Sequence, residues 1–138
     1  MVIEAATLCL ALNVFFEARS EYIPGQYAVA QVTLNRAGRD KAKVCTEVFK
    51  HRQFSWTLGV RREGDRWIIP SVLMRAVREE PEAWALAWRV AEVSLYGRME
   101  DLTKGSTHYH ARYVAPAWRR AFEPTKVLGQ HVFYRAGD

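Results

Sequence analysis

The chain has few of the residues that would staple, anchor or metal-load a protein of its size. Its 138 residues include two cysteines, four histidines and five prolines. Two cysteines do not make a disulfide framework. Cys9 and Cys45 both sit among apolar neighbours, where a free thiol behaves as a small buried hydrophobe. A single Cys9–Cys45 bridge stays open for a protein working in an oxidising compartment. Long apolar runs are missing as well. The longest, residues 5–16, covers 12 positions, against roughly 20 needed to cross a bilayer. It has no cationic start and no small-residue cleavage site, and Glu4 precedes it, so it does not read as a signal peptide. The expectation is a protein that is not exported by the usual route and does not insert stably into membranes. Signature motifs are also absent: there is no C-x-x-C, H-E-x-x-H, G-x-S-x-G or Walker loop.

What is present supports a folded enzyme-sized domain. Hydrophobic residues make up 49% of the chain, enough for one core at this length, so residues 1–138 are read as a single domain and a monomer. Lys and Arg number 20 against 15 Asp and Glu, a net charge of +5. The excess is scattered, with short pairs at Arg61-Arg62 and Arg119-Arg120. It favours approach to acidic polymers such as the bacterial wall. A non-catalytic basic module binding wall polymer or nucleic acid is the reading from another class.

Apolar residues at helical spacing predict a helix over residues 3–16, buried on most sides because few of its positions are polar. A second helix is expected over residues 24–36, with Pro24 and Gly25 near its start and Gly38 ending it. Residues 46–49 form a short helical candidate, and the mixed segment 51–67 reads as a loop or as a small hairpin around Gly64-Asp65. Residues 70–80 read as helix. Pro81 opens another, with Trp84, Ala87, Trp88, Ala91 and Leu95 on one face and Gly97 capping it. Strands are expected at 107–109 and 131–134. The fold class is therefore α+β, helix-dominated, with a small sheet late in the chain.

Glu17 is the residue that asks for an explanation. It directly follows Phe15 and Phe16 at the end of the first helix. Apolar neighbours and a helix C-terminus both disfavour a carboxylate, which raises its pKa. A carboxyl kept protonated near neutral pH can protonate a leaving sugar oxygen. The plain alternative is a structural ion pair of Glu17 with Arg19 or Arg36. Glu21 could supply a second carboxylate, although an exposed loop position fits it better. In the segment 106–120, alternation puts His108 and His110 on one face and Thr107 and Tyr109 on the other. An H-x-H pair joined by Glu17 or His131 is the pattern a zinc-dependent amidase would need. Gln53 and Ser55, interleaved with aromatics in QFSW, suit hydrogen bonding to sugar hydroxyls and N-acetyl groups. Tyr109, Tyr113 and Trp118 offer flat faces for stacking on sugars.

Five blocks occur in one order: LALNVFFEARSE, GQYAVAQVTLNR, VCTEVFKHRQFSW, THYHARYVAPAW and LGQHVFYR. Together they resemble the SleB/CwlJ-type cell wall hydrolase family, the spore-cortex-lytic group also found in other bacteria and in phages. The resemblance covers about residues 8–57 and 105–135. It implies a lysozyme-like fold and cleavage of bacterial peptidoglycan at the β-1,4 bond between N-acetylmuramic acid and N-acetylglucosamine. It implies lytic transglycosylation with Glu17 as catalytic acid, muramidase-type hydrolysis of the same bond being the alternative. It also implies no cofactor, no metal and no nucleic-acid partner. With residue chemistry, it places Gln53, Ser55, Thr107, Tyr109, His110 and His131 on the substrate. Ser20 departs from the family's EARGE. If the glycine there takes positive φ, Ser20 costs on the order of 1 kcal/mol of strain. Without an export signal, the expected role is a phage endolysin, held in the host cytoplasm until it is released onto the wall.

Overall fold

The computed structural model describes residues 5–50 and 55–136. Helix α1 runs from Ala5–Ala18 and α2 from Ile23–Arg36. Helix α3 is the short Val44–Val48, α4 is Ser71–Glu79 and α5 is Pro81–Tyr96. A small hairpin pairs β1, Arg61–Glu63, with β2, Arg66–Ile68, turning at Gly64-Asp65. The late sheet consists of β3, His108–Ala111, β4, Glu123–Leu128, and β5, His131–Arg135, in the order β3-β5-β4, all antiparallel. Each expected helix is present within a few residues of its predicted bounds. Strand β4 was not expected.

Two apolar clusters divide the molecule. In the larger one, α1 lies among α2, α3 and α5 and is covered on nearly every side. Leu10, Leu12, Val14 and Phe15 are fully buried, together with Ala87, Val90 and Ala91 of α5. This is why α1 has few polar positions: it has no solvent face to fill. Inside that packing, the Thr33 hydroxyl of α2 donates to Asn13 Oδ1 at 2.6 Å, so the buried polar pair is joined rather than stranded. The smaller cluster lies between α2 and the late sheet. Ala28, Val29 and Val32 pack on Leu128 and Phe133, and Ala18 joins them from the end of α1.

Cys9 and Cys45 are bonded, with their Cα atoms 5.2 Å apart. Their apolar surroundings suggested buried thiols, but the packing of α1 on α3 brings the two sulfurs together. With the partners 36 positions apart in the chain, loop closure stabilises the fold by about 4 kcal/mol. Among the described residues, no helix is long and apolar enough to cross a membrane.

Candidate active site

The site is built where the two clusters meet. Glu17 stands in the last turn of α1, half-buried. Phe15 enters the core, while Phe16 stacks on Trp56 with ring centroids 4.8 Å apart. The two phenylalanines therefore split their work: one fixes the helix, and the other builds an aromatic wall beside the carboxyl. From the sheet side, the Tyr109 hydroxyl donates to Glu17 Oε1 at 2.7 Å. Burial holds the Glu17 carboxyl above its ordinary range, while hydrogen bonds from Tyr109 and the Trp56 side chain act in the opposite direction. Burial, with the neighbouring Glu17 charge, pushes Tyr109 well above the usual phenol value, so it remains a donor.

The ion pairs considered for Glu17 are made elsewhere. Arg19 pairs with Glu80 at 3.0 Å, joining the end of α1 to the start of α5. Its guanidinium also lies 4.7 Å from the Phe15 ring centroid. Arg36 pairs with Glu47 at 2.9 Å. Among the described residues, no ion pair reaches Glu17. Ser20 is not among the residues with positive φ, so the strain expected from a missing glycine is not present.

Glu21 differs most from its sequence reading. Expected on an exposed loop, its side chain is only 7% exposed. Its Oε1 accepts from the Gln130 N–H at 3.0 Å and lies 3.0 Å from His131 Nδ1. The turn between β4 and β5 closes over it because Gly129 has φ +57 and no side chain. A Cβ there would come within 3.1 Å of Glu21 Cδ. Glu17, Glu21, His131 and Tyr113 line one open cleft of about 210 Å³. Tyr113 is 86% exposed at its edge. Among the described residues, a larger hollow of about 400 Å³ between Lys41, Cys45, Arg62 and Trp67 has Asp65 as its one carboxylate, and Asp65 is exposed.

The remaining sequence candidates separate by strand face. Tyr109 pairs across the ladder with Phe133, and Ala111 with His131, so Tyr109 and His131 share the face turned toward α1 and α2. Their rings meet edge to face at 5.1 Å. His108 and His110 point the other way, into an aromatic group with Trp118, Phe122 and Tyr134. His110 Nε2 is 2.8 Å from the Tyr134 hydroxyl and Nδ1 is 2.7 Å from the Ala111 carbonyl. Thr107 Oγ1 is 2.9 Å from His108 Nδ1. The histidines needed for a zinc amidase are thus on opposite faces of the sheet, and no group of three metal-binding side chains assembles among the described residues. Ser55 begins a short 3-10 helix, Ser55–Gly59. Gln53 lies outside the described residues.

Comparison with known proteins gives two matches. The family described as Cell Wall Hydrolase matches residues 20–134. Among solved structures, the catalytic domain of the germination-specific lytic transglycosylase SleB from Bacillus anthracis aligns with a TM-score of 0.66. That alignment has 20% identity and covers 97% of each chain. At this identity the likeness shows a shared fold, the helix-dominated, lysozyme-like domain with a small late sheet. No curated protein matches the chain.

Proposed function

The chain belongs to the cell wall hydrolase family, and from that premise we propose that it cleaves the glycan strands of peptidoglycan as a lytic transglycosylase. The bond cut is the β-1,4 link from N-acetylmuramic acid to N-acetylglucosamine. The observation that carries this reading is the state of the two carboxyls in one cleft. Glu17 is held toward its protonated form by burial. Glu21 is already engaged by Gln130 and His131. One carboxyl is held toward the form that can give a proton, and the other is taken up with a backbone N–H and an imidazole.

The chemistry follows from that asymmetry. Protonated Glu17 gives its proton to the bridging oxygen as the bond to the muramic acid C1 breaks. The Glu17 carboxylate then takes the proton of that sugar's own 6-hydroxyl, whose oxygen attacks C1 and closes a 1,6-anhydro ring. The proton lent in the first step is recovered in the second, and no water is consumed. Tyr109 stabilises the carboxylate while it carries charge, through the hydrogen bond already in place. Tyr113 and His131, at the cleft edge and wall, are the side chains proposed to meet the sugar rings. The Cys9–Cys45 bridge is in keeping with work outside a reducing cytoplasm. The solved relative's description as a lytic transglycosylase supports the same product.

Muramidase-type hydrolysis is the second reading, because Glu21 does line the cleft. Purified sacculi digested with the protein should release muropeptides with 1,6-anhydro ends, measured by mass spectrometry. Reducing ends in their place would transfer the assignment to hydrolysis. Glu17→Gln should release neither while keeping its circular dichroism spectrum.

A further inference from the structure

Glu21 is a buried carboxylate beside the acid that the proposed reaction does not use. Its surroundings form a connected set. Its backbone is fixed at both ends: its N–H donates to the Ala18 carbonyl at 2.9 Å, and its carbonyl accepts from Gln26 Nε2 at 3.1 Å. Its carboxylate accepts from Gln130 N–H and meets His131 Nδ1, each at 3.0 Å. His131 stands edge-on to Tyr109, and the Tyr109 hydroxyl donates to Glu17. The last turn of α1 and the turn that follows it are thereby connected through the sheet, from Glu21 by way of His131 and Tyr109 back to Glu17.

We propose that Glu21 is a positioning residue: by holding His131 and the Gly129-Gln130 turn, it fixes the Tyr109 hydroxyl on Glu17. The proposal rests on Glu17 being the acid. Facing the same space are Tyr109 and His131 from the sheet and Glu21 from the turn. Arg36 of α2 acts on Tyr109, and His110 acts on His131 through the strand. Burial lowers His131 below its ordinary value, against the pull of Glu21. That direction favours the neutral ring, in which a proton on Nδ1 would face the Glu21 carboxylate 3.0 Å away. A neutral imidazole can pack against Tyr109 without adding a charge that would draw the proton off Glu17. Sequence spacing hid this role, because Gln130, whose N–H the Glu21 carboxylate accepts, lies 109 residues away.

The test is the pH profile of sacculus cleavage for Glu21→Gln, Tyr109→Phe and the double variant. Glu21→Gln should lower kcat by up to about tenfold, no more than Tyr109→Phe does, with KM little changed. It should move the alkaline limb to higher pH, in the direction Tyr109→Phe moves it. The double variant should be no worse than Tyr109→Phe alone, because both remove one contact. His131→Phe keeps a ring against Tyr109 but leaves Glu21 only the Gln130 N–H to hold, and it should show the same shift in smaller measure. It serves as the probe if Glu21→Gln does not fold. Losses that multiply in the double variant, or a shifted kcat with an unmoved alkaline limb, would overturn the proposal while Glu17→Gln remains inactive. Activity in Glu17→Gln would overturn both this proposal and the reading beneath it.

Discussion

The two apolar clusters do different jobs with similar material. The larger one, around α1, is built from fully buried aliphatic and alanine positions and is stapled by Cys9–Cys45. The smaller one, between α2 and the late sheet, is thinner and has Tyr109 and Leu102 at its edge. Glu17 is mounted on the first, and the hydroxyl that controls it is mounted on the second. In the proposed reaction the helical side supplies the proton and the sheet side sets how tightly it is held. The lesson is that a single acid can be tuned from across a seam, with rigidity and adjustment assigned to different packing units.

Breaking the helical side at the acid should have the largest effect. Glu17→Gln should reduce sacculus cleavage by roughly 10²–10⁴-fold. The same change should raise the melting temperature near neutral pH. The Glu17 carboxyl titrates higher in the folded chain than in the unfolded one, so ionisation favours unfolding and stability falls as pH rises through that interval. The gain should disappear in acid, below the ordinary carboxyl range, where wild type and variant both lack the charge. Thermal melts at two pH values measure it.

Next in size is the staple. Replacing Cys9 and Cys45 with serine should cost about 4 kcal/mol in urea unfolding and leave the pH profile of the surviving activity unchanged. A moved profile would mean that the two clusters are not separable. Removing the hydroxyl on the sheet side is a smaller change with a sharper signature. Tyr109→Phe should cost about tenfold in kcat, with the alkaline limb moved to higher pH, because a donor to the carboxylate is lost and its protonated form gains.

The smallest expected effect lies in the loop before β3, where Asp101 gathers the chain. Its carboxylate accepts from the Thr103 N–H and hydroxyl, the Gly105 N–H and Asn35 Nδ2. Burial pushes its carboxyl up, but those hydrogen bonds outweigh burial and the net shift is downward. It therefore stabilises the protein above the ordinary carboxyl pKa, and that contribution is lost as pH falls through the lowered value. Asp101→Asn should cost about 1 kcal/mol at neutral pH and much less in acid, as read from paired melts.

Legibility in the sequence followed the range of the forces involved. Helices α1, α2 and α5 were readable because burial repeats along each of them locally. Strand β4 was not: Glu123, Pro124, Lys126 and Val127 are exposed, and an edge strand with a proline and an irregular register at Pro124/Lys126 has no clean alternation. The turn residues Gly64-Asp65 allowed a loop or a hairpin, and the pairing of β1 with β2 decides for the hairpin. In the candidate site, the burial of Glu17 and the upward shift of its carboxyl were legible because its apolar neighbours adjoin it in the chain. Alternation correctly separated Tyr109 from His108 and His110. Glu21 was misread as exposed because nothing near it in sequence shows that a glycine turn from the other end of the chain closes over it.

Helix α1 also bears on how this protein could be altered. Its acid sits at the end of a rod held by protein on nearly every side, whereas Ser20 and the segment 112–115 are exposed and join the frame only at their ends. That makes the domain a chassis with replaceable fittings. Residues 112–115, with Tyr113 at the cleft, are where exchange between relatives should redirect substrate choice while the rod keeps its aim.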